Sequence, residues 1–385
     1  MKLATQISLI DRILGYVDNR STDMVENSYQ QTVEGYLSTE LLEKEKNLFF
    51  RKYPMIIGHS SQVANSGDYL SHNETGVPIV VLRTDEGTLN AFINVCRHRG
   101  MRLVNEPCGI KKKSFVCPYH AWTYNQEGKL IHLPHQEGFP CTKLEETQLI
   151  KLPVVEKYGF IWVSPSPDVK LDIDSYLGDL VEDFTSYGFD THISYQPHSK
   201  KKALNWKLGI EIFLEGYHVK HAHRSTIYPM FIDNVGIYDQ FGLHMRNIFP
   251  KRRIVELKPI DKEKWNIRPV ANILYYLFPN SLILVEPGHA TLFNIFPVDI
   301  NNSIMLVNSL ISAKPETEKA VNYWQKNIDI LTNATEEDFW MGEAIQKGLE
   351  SKANKHFTYG RYEQSLMYFH NSLNQELAKA ITKQP

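Results

Sequence analysis

Four cysteines occur in 385 residues, and two of them stand in phrases that an ordinary core does not require. The first phrase is Cys96-Arg97-His98-Arg99-Gly100. Eighteen residues separate His98 from the second, Cys117-Pro118-Tyr119-His120. Each sits where an apolar β run ends in a turn, so each loop can aim two side chains at one point. Two such loops facing each other make a four-ligand site, and only a fold that apposes them accommodates it. Thiolates together with imidazoles select zinc or an iron–sulfur cluster. Zinc fingers usually group both cysteines in one half and both histidines in the other. Here each half supplies one of each, as a cluster with two chemically different irons requires, and neutral imidazoles raise its potential above that of an all-cysteine cluster. A structural Cys2His2 zinc site is the plainer alternative. Cys108 and Cys141 have no such partners and read as small core or surface residues.

The phrases lie in a stretch of short β runs. Pro78–Leu82, Ala91–Val95, Ser114–Val116 and Gly159–Val163 are such runs, and Trp122–Tyr124 and Leu130–His132 flank Asn125-Gln126-Glu127-Gly128, a hairpin turn. Ser164-Pro165-Ser166-Pro167 reads as a boundary. The organisation expected is a mostly helical segment 1–47, a β domain over 48–165, and an α+β domain over 166–385 with an antiparallel sheet. In the last, a helix is expected around 205–220, strands at 272–278, 281–285, 290–297 and 303–312, and helices at 316–331, 335–350 and 361–379. Lys111–Lys113 and Lys200–Lys202 read as solvated loops.

A second constellation falls beyond the boundary: Asn205-Trp206-Lys207, Glu211, then Glu215-Gly216-Tyr217-His218-Val219-Lys220-His221-Ala222-His223. Iron that activates oxygen favours two histidines and one carboxylate with open positions beside them. On a regular helix Glu215, His218 and His221 share a face, while His223 lies roughly 140° from His218 at ~100° per residue. Helical geometry therefore selects His218 and His221. Asn205, Glu211 and Tyr217 are candidates for orienting ligands. Phe213, Met230, Phe231, Leu292 and Phe296 are candidates for an apolar pocket, with core packing the plainer role for each.

Cys-x-His-Arg-Gly followed by Cys-Pro-Tyr-His-Ala-Trp resembles the Rieske domain of ring-hydroxylating and related non-haem iron oxygenases. Asn-Trp-Lys followed by acidic-x-x-His-x4-His resembles the same family's catalytic motif. The resemblance runs over residues 40–380, and Tyr362-Glu363 through Phe369-His370 is similar to the family's terminal helix. It implies an all-β Rieske domain and a START-like helix-grip catalytic domain. It assigns Cys96, His98, Cys117 and His120 to a [2Fe–2S] cluster. It assigns His218 and His223, not His221, to a mononuclear Fe(II), so the helix must end or distort between them. The third ligand it implies is Asp338, at the start of a C-terminal helix. Glu337 is an alternative ligand, and Thr335 as N-cap with Asp338 three residues on also reads as a capping box.

The same resemblance implies the activity. A terminal oxygenase uses O2 and NAD(P)H electrons, delivered by a separate flavin/iron–sulfur reductase or ferredoxin, to hydroxylate, dihydroxylate or oxidatively demethylate a small aromatic or quaternary ammonium substrate. It also implies a homotrimer in which an acidic residue, here Glu215, links the cluster histidine His120 of one subunit to the iron histidine His218 of the next. Glu at that position resembles members that oxidise quaternary ammonium compounds. A START-like binding module and an electron-transfer Rieske protein are the competing readings. No Gly-x-Gly-x-x-Gly follows a strand, so nicotinamide and flavin are expected on the partner.

Composition closes other routes. A net charge of −2 gives no field suited to nucleic acid or an anionic membrane. No apolar run reaches the ~18 residues of a membrane span. The first residues lack the apolar core of a signal peptide, so a reducing cytoplasm is expected.

Overall fold

The structure, a computed structural model, describes residues 1–382. The chain forms two compact units. One comprises Glu45–Tyr176 and Gly188–Ser194, the other Met1–Lys44, Leu177–Tyr187 and everything from Tyr195 onward.

The first unit is all β with short helical turns. Its largest sheet has five strands in the order Lys151–Leu152, Leu89–Ile93, Ile79–Arg83, Tyr69–His72, Cys108–Gly109. The apolar run at Ile79–Arg83 is buried along its whole length because both faces of this strand are covered. Successive side chains alternate in direction. Val80 and Leu82 join Phe92, Trp122, Tyr124, Cys96 and Cys117 on one side, whereas Ile79 and Val81 join Leu70, Ile161 and Val163 on the other. A smaller sheet of Phe115–Val116, Thr123–Tyr124 and Leu130–His132 carries the second cysteine phrase. Its hairpin closes at Gly128 (φ +81°), where a Cβ would come within 2.5 Å of the Phe92 ring.

The second unit is built on a seven-stranded sheet, in the order Ile193–Lys202, Asn302–Ile311, His289–Asp299, Ser281–Glu286, Ala271–Leu277, His244–Pro250, Ile237–Phe241. The pairings from Asn302–Ile311 through Ile237–Phe241 are antiparallel. The fold is thus an all-β unit plus an α/β unit. No helix among the described residues is long and apolar enough to cross a membrane.

Four local expectations are refined. The segment 1–47 is mostly helical as expected, in Leu3–Asp18, Val33–Tyr36 and the start of Thr39–Lys52, but it also contains the strand Tyr29–Thr32, paired with His356–Tyr359. That partner lies more than three hundred residues away, beyond any local pattern. The expected helix over 205–220 is two pieces, Trp206–Glu211 and Val219–Ala222. The expected helices 316–331 and 335–350 are one helix of 33 residues, Glu318–Glu350, capped by Thr317, whose side chain accepts from Ala320 N. Thr335 therefore caps nothing; its hydroxyl donates to the Thr332 carbonyl at 3.0 Å in mid-helix. Finally, Lys200–Lys202 end a strand, and Lys200 and Lys202 each pair with Glu336 at 2.7 Å.

The long helix is asymmetric along its axis. Ala334, Thr335, Asp338, Phe339, Gly342, Gln346 and Leu349 are buried and form one stripe. Gly342 permits a close approach, since a Cβ there would meet Leu204 at 2.9 Å. Residues 318–333 bury no side chain fully.

Candidate metal centres

The two cysteine loops share one backbone frame. Cys96 N–H donates to the Met101 carbonyl and Gly100 N–H to the Cys96 carbonyl; Cys117 N–H donates to Trp122 O and Ala121 N–H to Cys117 O. In each the fifth residue takes a left-handed conformation, Gly100 at φ +79° and Ala121 at +58°. The frame presents histidine at the third position in one loop and the fourth in the other. Asn94 braces the first loop, accepting from Leu103 and Val104 N–H and donating to Val104 O.

These loops bring Cys96, His98, Cys117 and His120 together. Both cysteines are buried, at 2% and 3% exposure, while His98 is half-buried and His120 exposed. The imidazole rings are 4.7 Å apart, and His98 stacks on Trp122. Burial pushes the Cys96 thiol up, so thiolate forms there only against a strong positive charge such as metal supplies. Burial, aided by His120 and Arg99, lowers His98 and favours the neutral, ligating ring. Tyr124 adds a contact that the sequence pattern does not flag: its hydroxyl lies 3.4 Å from Cys96 Sγ and accepts from Arg97 N–H. A donor set of inner thiolates and outer imidazoles fits a Rieske cluster, of which Cys96 and Cys117 would hold one iron and His98 and His120 the other.

In the other unit Asn205 caps the helix Trp206–Glu211, its side chain accepting from Lys207 N–H at 3.0 Å. Glu211 binds Tyr36, Tyr359 and His370 in the core. The helix stops, and Glu215 accepts from the N–H groups of Tyr217 and His218, which starts the short turn that carries the histidines. Within it His221 is exposed and His223 is buried. His218, His223 and Asp338 converge, with one ligand atom from each inside a 4.8 Å sphere of mutual separation. Asp338 Oδ1 is 3.2 Å from His218 Nε2 and 2.8 Å from His223 Nε2. Such spacings suit ligands each about 2.1 Å from one ion.

Both imidazoles are gripped from behind. His218 Nδ1 contacts Glu215, and His223 Nδ1 contacts Glu337 at 2.6 Å, leaving each Nε2 facing the centre. Glu337 also accepts from Thr226 Oγ1. Three consecutive acids thus point three ways, about 100° apart on the helix: Glu336 to Lys200 and Lys202, Glu337 to His223, Asp338 to the centre. An acidic triplet in mid-helix is the signal that marks Glu337 as more than a neighbour. Burial disfavours charge on His218, but Glu215 and Asp338 outweigh it and push the ring up to about 10. On Asp338 burial is likewise outweighed, by His218 and His223, which hold the carboxyl low. The site favours positive charge at its centre, and three ligands on one side leave room for others.

The triad opens on a cavity of about 320 Å3 within this unit. Phe213, Met230 and Phe231 line it, together with Leu274, Leu284 and one face of the long helix. Leu292 and Phe296 are not among its lining residues; they are buried, at 2% and 0% exposure. Tyr217 is half exposed and packs on the Tyr362 ring.

A buried dithiolate–bis-imidazole frame and a separate two-histidine, one-carboxylate centre on an apolar cavity define a non-haem iron oxygenase with its own electron relay. Residues 53–151 match the Rieske [2Fe-2S] domain and residues 184–379 the ring hydroxylating alpha subunit (catalytic domain). The chain belongs to the ring-hydroxylating α-subunit family of Rieske oxygenases and is a Rieske-type oxygenase acting on a small organic substrate. It is similar to the carnitine monooxygenase oxygenase subunit of Escherichia coli (strain K12), 27% identical over 355 residues, or 88% of this chain and 91% of that protein. Chloroplastic choline monooxygenase of Atriplex hortensis is 28% identical over 352 residues, 89% and 76% of the two chains. A quaternary ammonium Rieske monooxygenase in complex with L-carnitine has the same fold, with TM-score 0.78 at 20% identity over 92% of this chain and 96% of that one.

Proposed function

We propose that this chain is the terminal oxygenase for a quaternary ammonium compound, which it hydroxylates or oxidatively cleaves. The observation that carries this reading is the His218–His223–Asp338 set opening directly on the apolar cavity. The similarity to carnitine and choline monooxygenases supports the substrate class. So does the lining: Phe213, Phe231, Phe249 and Tyr323 offer ring faces suited to a cation of low hydration.

On this reading Cys96 and Cys117 hold one iron of the cluster and His98 and His120 the other. His218, His223 and Asp338 hold the mononuclear iron. When bound, the cluster supplies single electrons and the iron activates O2; the electrons originate from NAD(P)H through a separate reductase or ferredoxin. The chain's own contribution is positioning. Glu215 and Glu337 fix the two imidazoles, and the apolar walls keep bulk water from the reacting end of the substrate. Glu215 also serves the electron route by accepting from His120 of the partner subunit in a closed homotrimer. The sequence reading's 48–165 forms the body of the cluster domain and most of 166–385 the catalytic domain, with 1–44 joined to the latter and 166–176 and 188–194 packed with the former. The sheet closes on its long helix in the helix-grip, START-like manner. A cytoplasmic location suits the free thiols of Cys108 and Cys141.

The test is reconstitution with a surrogate reductase and NADH, following O2 uptake and product formation with L-carnitine, γ-butyrobetaine, choline and naphthalene. Substrate-dependent uptake coupled to an oxygenated or dealkylated ammonium product is expected. Turnover of the arene alone removes the ammonium reading. Turnover of none, with cluster and iron intact, favours a binding module or an electron carrier.

A further inference from the structure

The cavity floor is not uniformly apolar, and strand register shows how its polarity is laid out. Leu274 pairs with Leu284 across two strands, and both line the cavity. One row further along, Phe249 pairs with Asn272, Asn272 stands opposite Glu286 one step beyond the Ile273–Val285 pair, and Glu286 pairs with His289. Cross-strand partners share a face, and all four line the cavity. A Cβ added at Gly216, beside Glu215, would meet the Phe249 ring at 3.2 Å, so Phe249 marks the triad's side of the row. The His289 ring packs on Trp324, fourteen residues before Asp338 and so roughly 21 Å away along the helix at ~1.5 Å per residue. The polar row leads away from the triad.

Within this row the charges are unequally answered. Glu286 contacts His289 Nε2 at 3.0 Å. Lys251, two residues beyond Phe249 and therefore on the same face, also lines the cavity. Among the described residues its ammonium has no ion-pair or hydrogen-bond partner. Asn272 Oδ1 is buried and unpartnered, and a half-turn of the amide exchanges this acceptor for the N–H donor of Nδ2, so the side chain can offer a donor to the cavity. Burial lowers Lys251, with Glu286 restoring the charge only in part and Arg253 opposing it. A half-buried cation facing an apolar cavity with an idle amide beside it is an arrangement that a bound anion completes.

We propose that the cavity takes substrates bearing an anionic group, a carboxylate or a group of like shape and charge, held by the ammonium of Lys251 and the side-chain amide of Asn272. This rests on the reading of the cavity as the oxygenase's substrate pocket. It sharpens the substrate class from any quaternary ammonium to an acid-bearing one, and it names Lys251 as the residue that discriminates. A simple cation lacking the acid leaves Lys251 unanswered and adds a like charge to the same pocket.

The experiment uses the iron-loaded holoenzyme and two matched pairs: γ-butyrobetaine with its methyl ester, and phenylacetate with its methyl ester. Affinity is measured by calorimetry, and turnover by product formation with a surrogate reductase. In at least one pair the acid is expected to bind about tenfold or more tighter than its ester, as a charge-assisted contact allows. Lys251→Met is expected to erase that ratio by weakening the acid alone, and Lys251→Arg to keep most of it, with cluster absorbance and iron content unchanged in both. Preference for the ammonium acid supports this inference and the ammonium reading together. Preference confined to phenylacetate supports this inference while removing the ammonium reading. Equal or absent binding of acid and ester in both pairs overturns it, as does a Lys251→Met protein that still prefers the acid.

Discussion

At the scale of single residues, the proposed iron centre depends on two glutamates, Glu215 and Glu337, that do not face its middle. Glu337 holds His223 through Nδ1 at 2.6 Å. Partners of this kind typically contribute ten- to a hundredfold in metal affinity. Glu337→Gln is therefore expected to weaken Fe(II) binding by about that factor, read by competition with a chelator, while the cluster spectrum stays as in wild type. Glu363 behaves differently. Burial, with Glu215 nearby, raises its carboxyl to about 7 from an ordinary 4.5. The folded state thus favours the protonated acid, and that stabilisation is full below pH 4.5, falls as pH rises, and is gone above 7. Glu363→Gln, which cannot ionise, should match wild type in thermal midpoint near pH 4.5 and exceed it by a few degrees at pH 8. The comparison belongs to chelator-treated protein. Restoring Fe(II) should narrow the gap, because nearby positive charge favours the Glu363 carboxylate.

At the scale of elements, what is local is legible and what is distant is not. Both cysteine phrases are readable because each Cys–His pair lies within four residues, and the apolar run at Ile79–Arg83 announces a strand covered on both faces. The histidine turn is harder. A regular helix through 205–220 would align Glu215, His218 and His221, but Glu215 turns back to cap the N–H groups of Tyr217 and His218 and interrupts it. No periodicity encodes that break. Nor does any local signal join Asp338 to His223 across 115 residues, and the Leu331-Thr332-Asn333 stretch imitates a helix end inside a continuous helix. The hairpin at Gly128 is legible and also testable. Gly128→Ala adds a Cβ at positive φ and 2.5 Å from Phe92, which packs beside the cysteines. A loss of about 1–3 kcal/mol is expected, seen as bleaching of the cluster at lower denaturant, whereas Fe(II) affinity of the other unit is unchanged.

At the scale of the whole molecule, the two centres belong to different compact units and are separable. His218→Ala or Asp338→Ala should abolish turnover and leave the cluster's visible absorption intact. Cys117→Ala should destroy that absorption and leave a site that still titrates with Fe(II). Loss of both signals in any one variant contradicts independent sites. The long helix divides the second unit in another sense. Its C-terminal half is anchored by a buried stripe that includes Asp338, and its N-terminal half carries Tyr323, Asn327, Ile330 and Leu331 along the cavity without fully burying any of them. Backbone amides in such a helix have no single protection. Those of 334–349 should exchange with solvent deuterium only on large-scale opening, and those of 318–333 through local fraying at a much smaller free energy. One turn of the same helix can therefore loosen while another stays fixed. Occupancy of the cavity should slow exchange in the loose half alone, so the protein can admit a guest by lending out the far end of a rod whose near end keeps Asp338 in place.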